Sequence, residues 1–125
     1  MYDVFFTSTN KGFAVGEFGT IIKTTDAGEN WTTCDNVPYG MFNEICFVDQ
    51  YTGYVSSSTG TIVKTEDGGN TWFELNITGN YSFNSLYFMD AYEGFAVGDF
   101  GKIIKTYDGG QIGRAHVWTP VTEYD

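Results

Sequence analysis

Gly12-Phe13-Ala14-Val15-Gly16-Glu17-Phe18-Gly19-Thr20-Ile21-Ile22-Lys23-Thr24-Thr25-Asp26-Ala27-Gly28 returns almost unchanged at Gly94–Gly110, and a diverged copy runs from Gly53 to Gly69. The step is constant: Asp26, Asp67 and Asp108 are 41 residues apart (67 − 26 = 41; 108 − 67 = 41), as are Gly19, Gly60 and Gly101. A period of that size marks stacked supersecondary units, each too small to bury its own apolar surface. Working outward, Phe42–Val48, Tyr54–Ser58, Thr61–Thr65 and Thr71–Ile77 read as four short strands separated by Gly- and Asp-rich turns. Repeat one offers Asp3–Thr7, Phe13–Val15, Thr20–Thr24 and Asn30–Cys34; repeat three offers Phe83–Met89, Phe95–Val97 and Lys102–Thr106. No stretch shows apolar spacing at three and four residues, so no helix is expected.

Along Phe42–Val48, Ile45 and Phe47 point to one face of the sheet while Cys46 and Val48 point to the other. A four-stranded sheet with bulk on both faces needs a neighbour on each side, as radial stacking of blades provides. The sequence is therefore read as all-β: a β-propeller fragment of about three four-stranded antiparallel blades. Blade one is placed at 1–38, blade two at 39–80 and blade three at 81–111, with 112–125 set apart. Gly is abundant (16), Pro scarce (2) and 18% of residues are aromatic, a mixture that suits short strands and tight turns. Cys34 and Cys46 are too few to fix a redox compartment, and whether they pair is open.

The net charge of −10 argues against a nucleic-acid partner, which needs clustered Lys and Arg. No apolar run approaches the roughly 20 residues of a membrane span. Met1 falls inside the first repeat without the basic start and apolar core of a signal peptide, so an export signal is expected upstream or not at all.

The most specific local motif is Thr24-Thr25-Asp26-Ala27-Gly28-Glu29-Asn30-Trp31, matched by Thr65-Glu66-Asp67-Gly68-Gly69-Asn70-Thr71-Trp72 and begun again at Thr106, Asp108 and Gly110. An Asp at a turn entry can accept backbone N–H groups one to three residues on, Gly28 and Gly69 supply positive φ, and the Trp lays an apolar surface on the hairpin. The motif resembles the Asp box, or bacterial neuraminidase repeat, which implies a structural hairpin rather than a catalytic group. A cation site on Asp67 and Asn70 lacks the alternating acids and closing Glu of a calcium loop, so no metal and no cofactor are expected. The wider repeat, Asp3 to Gly110, is similar to the photosystem II assembly/stability factor type of propeller and to many secreted bacterial repeat proteins. That resemblance implies a non-enzymatic protein whose photosynthetic members bind partner proteins partly through exposed arginines. Here the chain departs from the pattern, with no Arg before Arg114.

The period requires a Trp at position 113 and finds Gly113. From Ile112 the chain reads Ile-Gly-Arg-Ala-His-Val-Trp-Thr-Pro-Val-Thr, which resembles one reading frame of a sequencing-library adapter with a UGA codon decoded as Trp118. Residues 112–125 are accordingly read as adapter-derived, Arg114 and His116 are given no catalytic role, and the chain is read as truncated in its third repeat.

Three functional classes follow. The first is a non-enzymatic scaffold that binds a protein or a glycan, part of a larger extracytoplasmic protein whose signal is not in this chain. The second is a photosystem II assembly role. The third is a piece of a glycosidase of the sialidase or xyloglucanase type. A sialidase needs an arginine cluster for the substrate carboxylate, which this chain lacks. Glu17 and Asp99, at equivalent repeat positions beside Phe18 and Phe100, are the speculative binding residues; repeat two has a serine where the acids stand. Without its neighbours, a strip of blades exposes raw faces and sheet edges and is expected to self-associate.

Overall fold

The computed structural model describes residues 2–75, 82–90, 92–99, 102–106 and 119–120. Among the described residues, twelve strands form three four-stranded antiparallel sheets. The first holds β1 (Asp3–Phe6), β2 (Gly12–Gly16), β3 (Thr20–Thr24) and β4 (Thr32–Thr33) in sequential order. The second holds β5 (Phe42–Phe47), β6 (Gly53–Ser57), β7 (Ile62–Thr65) and β8 (Phe73–Glu74). The third holds β9 (Phe83–Phe88), β10 (Gly94–Gly98), β11 (Ile103–Thr106) and β12 (Thr119–Pro120). Each is a meander of alternating side chains, in which three to five residues link the first three strands and seven link the third strand to the fourth in the first two sheets.

The first strands of successive sheets touch, β1 with β5 and β5 with β9, which makes them the inner strands of radially stacked blades. The core is divided accordingly. Phe13, Val15 and Ile21 of blade one meet Phe42, Ile45, Val55, Val63 and Trp72 of blade two. On the other side of blade two, Tyr54, Ile62 and Leu75 meet Phe83, Leu86, Ala96 and Ile104 of blade three. Ile45 and Phe47 thus belong to one interface and Cys46 and Val48 to the other, as the alternation in β5 requires. Blade two is covered on both faces, and every residue of β6 and β7 is buried. On the outward faces of blades one and three, Val4, Phe6, Tyr87, Met89 and Val97 stay exposed.

Three features of the strands differ from the sequence reading. The outermost strands are shorter: β8 covers Phe73–Glu74 rather than starting at Thr71, because the Thr71 N–H and hydroxyl both bond the Asp67 carboxylate. A β-bulge sits at Asn43 in β5 and at the equivalent Asn84 in β9 (43 + 41 = 84). The bulge turns the Asn43 amide toward blade three, where it donates to the Phe83 carbonyl while accepting from the Ser56 hydroxyl. The fourth strand of sheet three pairs Lys105 with Thr119, five residues beyond the partner that the period gives, position 114 (73 + 41 = 114; 119 − 114 = 5). Thr119 and Pro120 are the only described residues within 112–125.

Candidate functional site

The two ends of the stack are built differently. One end carries the β1–β2 type turns and the motif turns, which bond each other: Ala27 N–H donates to Asn10 O, and Gly68 N–H to Tyr51 O, both at 2.9 Å. Thr24 is the hub of its motif turn. Its hydroxyl donates to Asp26 at 2.7 Å and accepts the backbone N–H of Gly28 at 3.0 Å. Asp26 holds the Glu29 N–H three residues on only weakly, and its main partner lies one residue further. It accepts the backbone N–H of Asn30, four residues on, and the Asn30 side-chain amide, both at 2.8 Å. Thr65, Asp67, Gly69 and Thr71 repeat the network.

These bonds to Asn30 and Thr24 draw the Asp26 pKa down from 3.8 to about 2. Burial opposes the charge on Asp67, but the bonds from Thr71 and Thr65 outweigh it and hold that carboxyl below its ordinary range. Gly28 and Gly69 have φ of 94° and 90°, as the motif requires. Ala27 and Gly68, just before them, also lie in the left-handed region at 63° and 73°. The two motif tryptophans differ. Trp31 is half-buried, donates to Gly28 O at 3.0 Å and meets the ring of Phe6 edge-on. Trp72 is only 5% exposed and stands edge-on to Phe13 of blade one and to Phe47, so it closes the joint between blades as well as its own hairpin. Thr106 is buried, while Asp108 and Gly110 lie outside the described residues.

A second turn repeats at this end: Asp49–Gly53, a turn cluster in the sequence, has a counterpart at Asp90 that the sequence reading did not single out. Asp49 accepts the N–H groups of Tyr51 and Thr52, and Asp90 those of Tyr92 and Glu93, which holds the Asp90 carboxyl below its ordinary range. The signal was present as Asp at the same place in two repeats. The lysines here are engaged within the fold: Lys64 lies 3.1 Å from Glu66 and over the Tyr54 ring, Lys105 lies over Phe95, and Lys23 donates to Asn70. A cleft of about 350 Å³ opens between β4 and the Asn70–Thr71 turn, with Lys23, Cys34 and Trp72 in its wall. Cys34 and Cys46 are free and pack against opposite faces of blade two, which answers whether they pair. Burial raises both thiols, Cys46 to about 12.

The other end carries the turns between second and third strands and the links between blades. Glu17 accepts a hydrogen bond from the Tyr2 hydroxyl, and Asp99, at the equivalent place in blade three, accepts one from Asn84 at 3.1 Å. Glu17 and Asp99 are exposed and stand on blades one and three with blade two between them. Two sheet spacings amount to about 20 Å, beyond the reach of a paired-carboxylate glycosidase. Phe18 does not pack between blades: it is 71% exposed with φ 60°. Phe100 lies outside the described residues. Among the described residues no cluster of three His, Cys, Asp or Glu could hold a metal ion, and no helix is long and apolar enough to cross a membrane.

A family model described as photosynthesis system II assembly factor YCF48 matches residues 36–117, 82 of the 125 positions (117 − 36 + 1 = 82). The chain belongs to this family. Two solved structures share the fold. One, "YCF48 bound to D1 peptide", superposes with a TM-score of 0.81 at 20% identity, over 98% of this chain and 40% of its own. The other, YCF48 from Cyanidioschyzon merolae, gives 0.80 at 21% identity, over 98% of this chain and 37% of its own. This chain thus spans about 40% of the length of the first of these relatives. No curated protein matches it in sequence.

Proposed function

We propose that the chain is a section of a non-enzymatic β-propeller that binds a segment of a partner protein during photosystem II assembly. The observation that carries this reading is the family match over 36–117, joined to the fit of 98% of the chain onto a YCF48 that has D1 peptide bound. Among the described residues, the carboxylates whose pKa is displaced, Asp26, Asp67 and Asp90, are displaced downward by turn hydrogen bonds, the wrong direction for a general acid. We further propose that the complete protein works outside the cytoplasm, as the repeat's resemblance to secreted bacterial repeat proteins implies; cell fractionation tests this.

The functional test is affinity purification of the complete protein from its host. Photosystem II precursors in the eluate are the expected result. Their absence, together with hydrolysis of a sialoside or β-glucan by the purified protein, would replace this reading with the glycosidase one.

A further inference from the structure

We propose that the patch formed by Tyr2, Glu17, Phe18 and Tyr39 reads a cationic side chain, arginine before lysine, on the protein segment that binds. This deepens the protein-binding reading and rests on it. The first ground is Phe18 itself. Its φ of 60° places a bulky residue in the left-handed region, where Gly or Asn sits far more easily. Burial does not offset that strain, because 71% of the residue is exposed. Strain held at an exposed aromatic is the kind of outlier that marks a contact residue.

The second ground is what surrounds it. Gly19 N–H donates to Gly40 O at 2.7 Å, and a Cβ on Gly19 would stand 3.3 Å from Tyr39 Cα, so the 17–19 turn and the 38–40 link lie against each other. Tyr39 is 62% exposed and Tyr2 60%. The Tyr2 hydroxyl donates to Glu17, which fixes the carboxylate at the surface beside that ring, the Glu17 carbonyl accepts from the Thr20 hydroxyl and holds the turn, and the Tyr39 hydroxyl turns toward the Met41 sulfur on the adjoining link. Aromatic faces beside a carboxylate attract cations, and a planar guanidinium can stack on a ring and bond a carboxylate at once. The chain's charge of −10 adds long-range attraction for a basic segment.

The test uses the complete chain and three labelled heptapeptides, Gly-Ser-Arg-Gly-Arg-Ser-Gly and its lysine and citrulline counterparts, read by fluorescence anisotropy at near-physiological salt. The arginine peptide is expected to bind most tightly and the neutral citrulline peptide least. Phe18→Gly is expected to weaken the arginine peptide about threefold to fivefold, the scale of an exposed cation–π contact, without changing net charge and without lowering Tm. Glu17→Gln is expected to weaken it by a similar factor. Equal affinity for the arginine and citrulline peptides would overturn the proposal, as would unchanged affinity in Phe18→Gly. A fall in Tm for Phe18→Gly would make Phe18 a packing residue and overturn it too. Movement of the Phe18 ring signals in NMR with cellobiose but not with the arginine peptide would assign the patch to glycan instead. Loss of photosystem II precursors from the purification, with arginine preference intact, would instead remove the assembly reading alone.

Discussion

Asp3 accepts a hydrogen bond from the backbone N–H of Ile45 at 3.0 Å, across the boundary between the first two blades. The same relationship recurs one period later, where Glu44 accepts the backbone N–H of Leu86 together with the Ser85 hydroxyl (3 + 41 = 44; 45 + 41 = 86). Inner strands of neighbouring blades are not hydrogen-bonded to each other as sheets, so an acid at this register joins their backbones instead. Asp3, Glu44 and Ser85 occupy the one repeat position, and Ser85 ends the series as the donor to Glu44.

Replacing Glu44 by Ala leaves the Leu86 N–H without its acceptor at a largely buried joint. The expected loss is about 1–3 kcal/mol in urea unfolding, with Glu44→Gln losing less because an acceptor oxygen is kept. Hydrogen exchange at the Leu86 amide gives the site-specific check: it is expected to quicken in Glu44→Ala. An unchanged exchange rate and unchanged stability would remove the acid link from the account.

Ala27 and Gly68 hold one place in the motif turn, at φ 63° and 73° (27 + 41 = 68). An L-residue in the left-handed region costs roughly 1–2 kcal/mol. Ala27→Gly is therefore expected to stabilise the chain by about 1 kcal/mol after the added chain entropy of Gly is counted. Gly68→Ala is expected to destabilise it, with Lys11 Nζ and Gln50 O close to the new methyl. Thermal unfolding of both variants reads the pair, and the signs are expected to be opposite.

The next position separates a turn from a joint. A Cβ on Gly69 would lie 2.3 Å from the Phe13 ring of blade one, whereas on Gly28 its nearest neighbour is Trp31 at 3.7 Å. Gly69→Ala is expected to be the worse substitution although both glycines have nearly the same φ. Trp72→Ala is likewise expected to cost about 3–5 kcal/mol, and Trp31→Ala less than half of that, since Trp31 is only half-buried. Equal losses in either pair would mean that blades one and two do not pack as described.

The repeat and its strands were legible from the sequence because alternation and turn residues are local signals. Ile45, Phe47, Cys46 and Val48 could be assigned to opposite faces from the two-residue period alone. The role of Trp72 was only half legible: its motif places it on a hairpin, but its burial comes from Phe13, some sixty residues earlier (72 − 13 = 59). The Asp3–Ile45 link and the Asn43 bulge were invisible for the same reason, since each depends on how one blade is set against the next. Exposure of Phe18 was not legible either, because Gly-rich turns place an aromatic inward or outward according to a φ that sequence does not print.

Acid tests the motif turn in solution. The Asp26 carboxyl is held near pKa 2 in the fold against 3.8 ordinarily, so the stabilisation it gives is fully present above 3.8 and is lost as pH falls through about 2. Urea midpoints are expected to drop across that window, and Asp26→Asn is expected to remove this share of the drop. A variant that keeps the wild-type acid profile would show that the Asn30 and Thr24 bonds are not formed in solution.

The proposed role is that of a propeller that binds a protein segment and performs no hydrolysis. Isothermal titration of the complete protein with a D1 peptide tests it most directly. Saturable binding that excess sialic acid or cellobiose does not compete away is expected. Absence of heat across the accessible concentrations, or displacement of the peptide by either sugar, would contradict it.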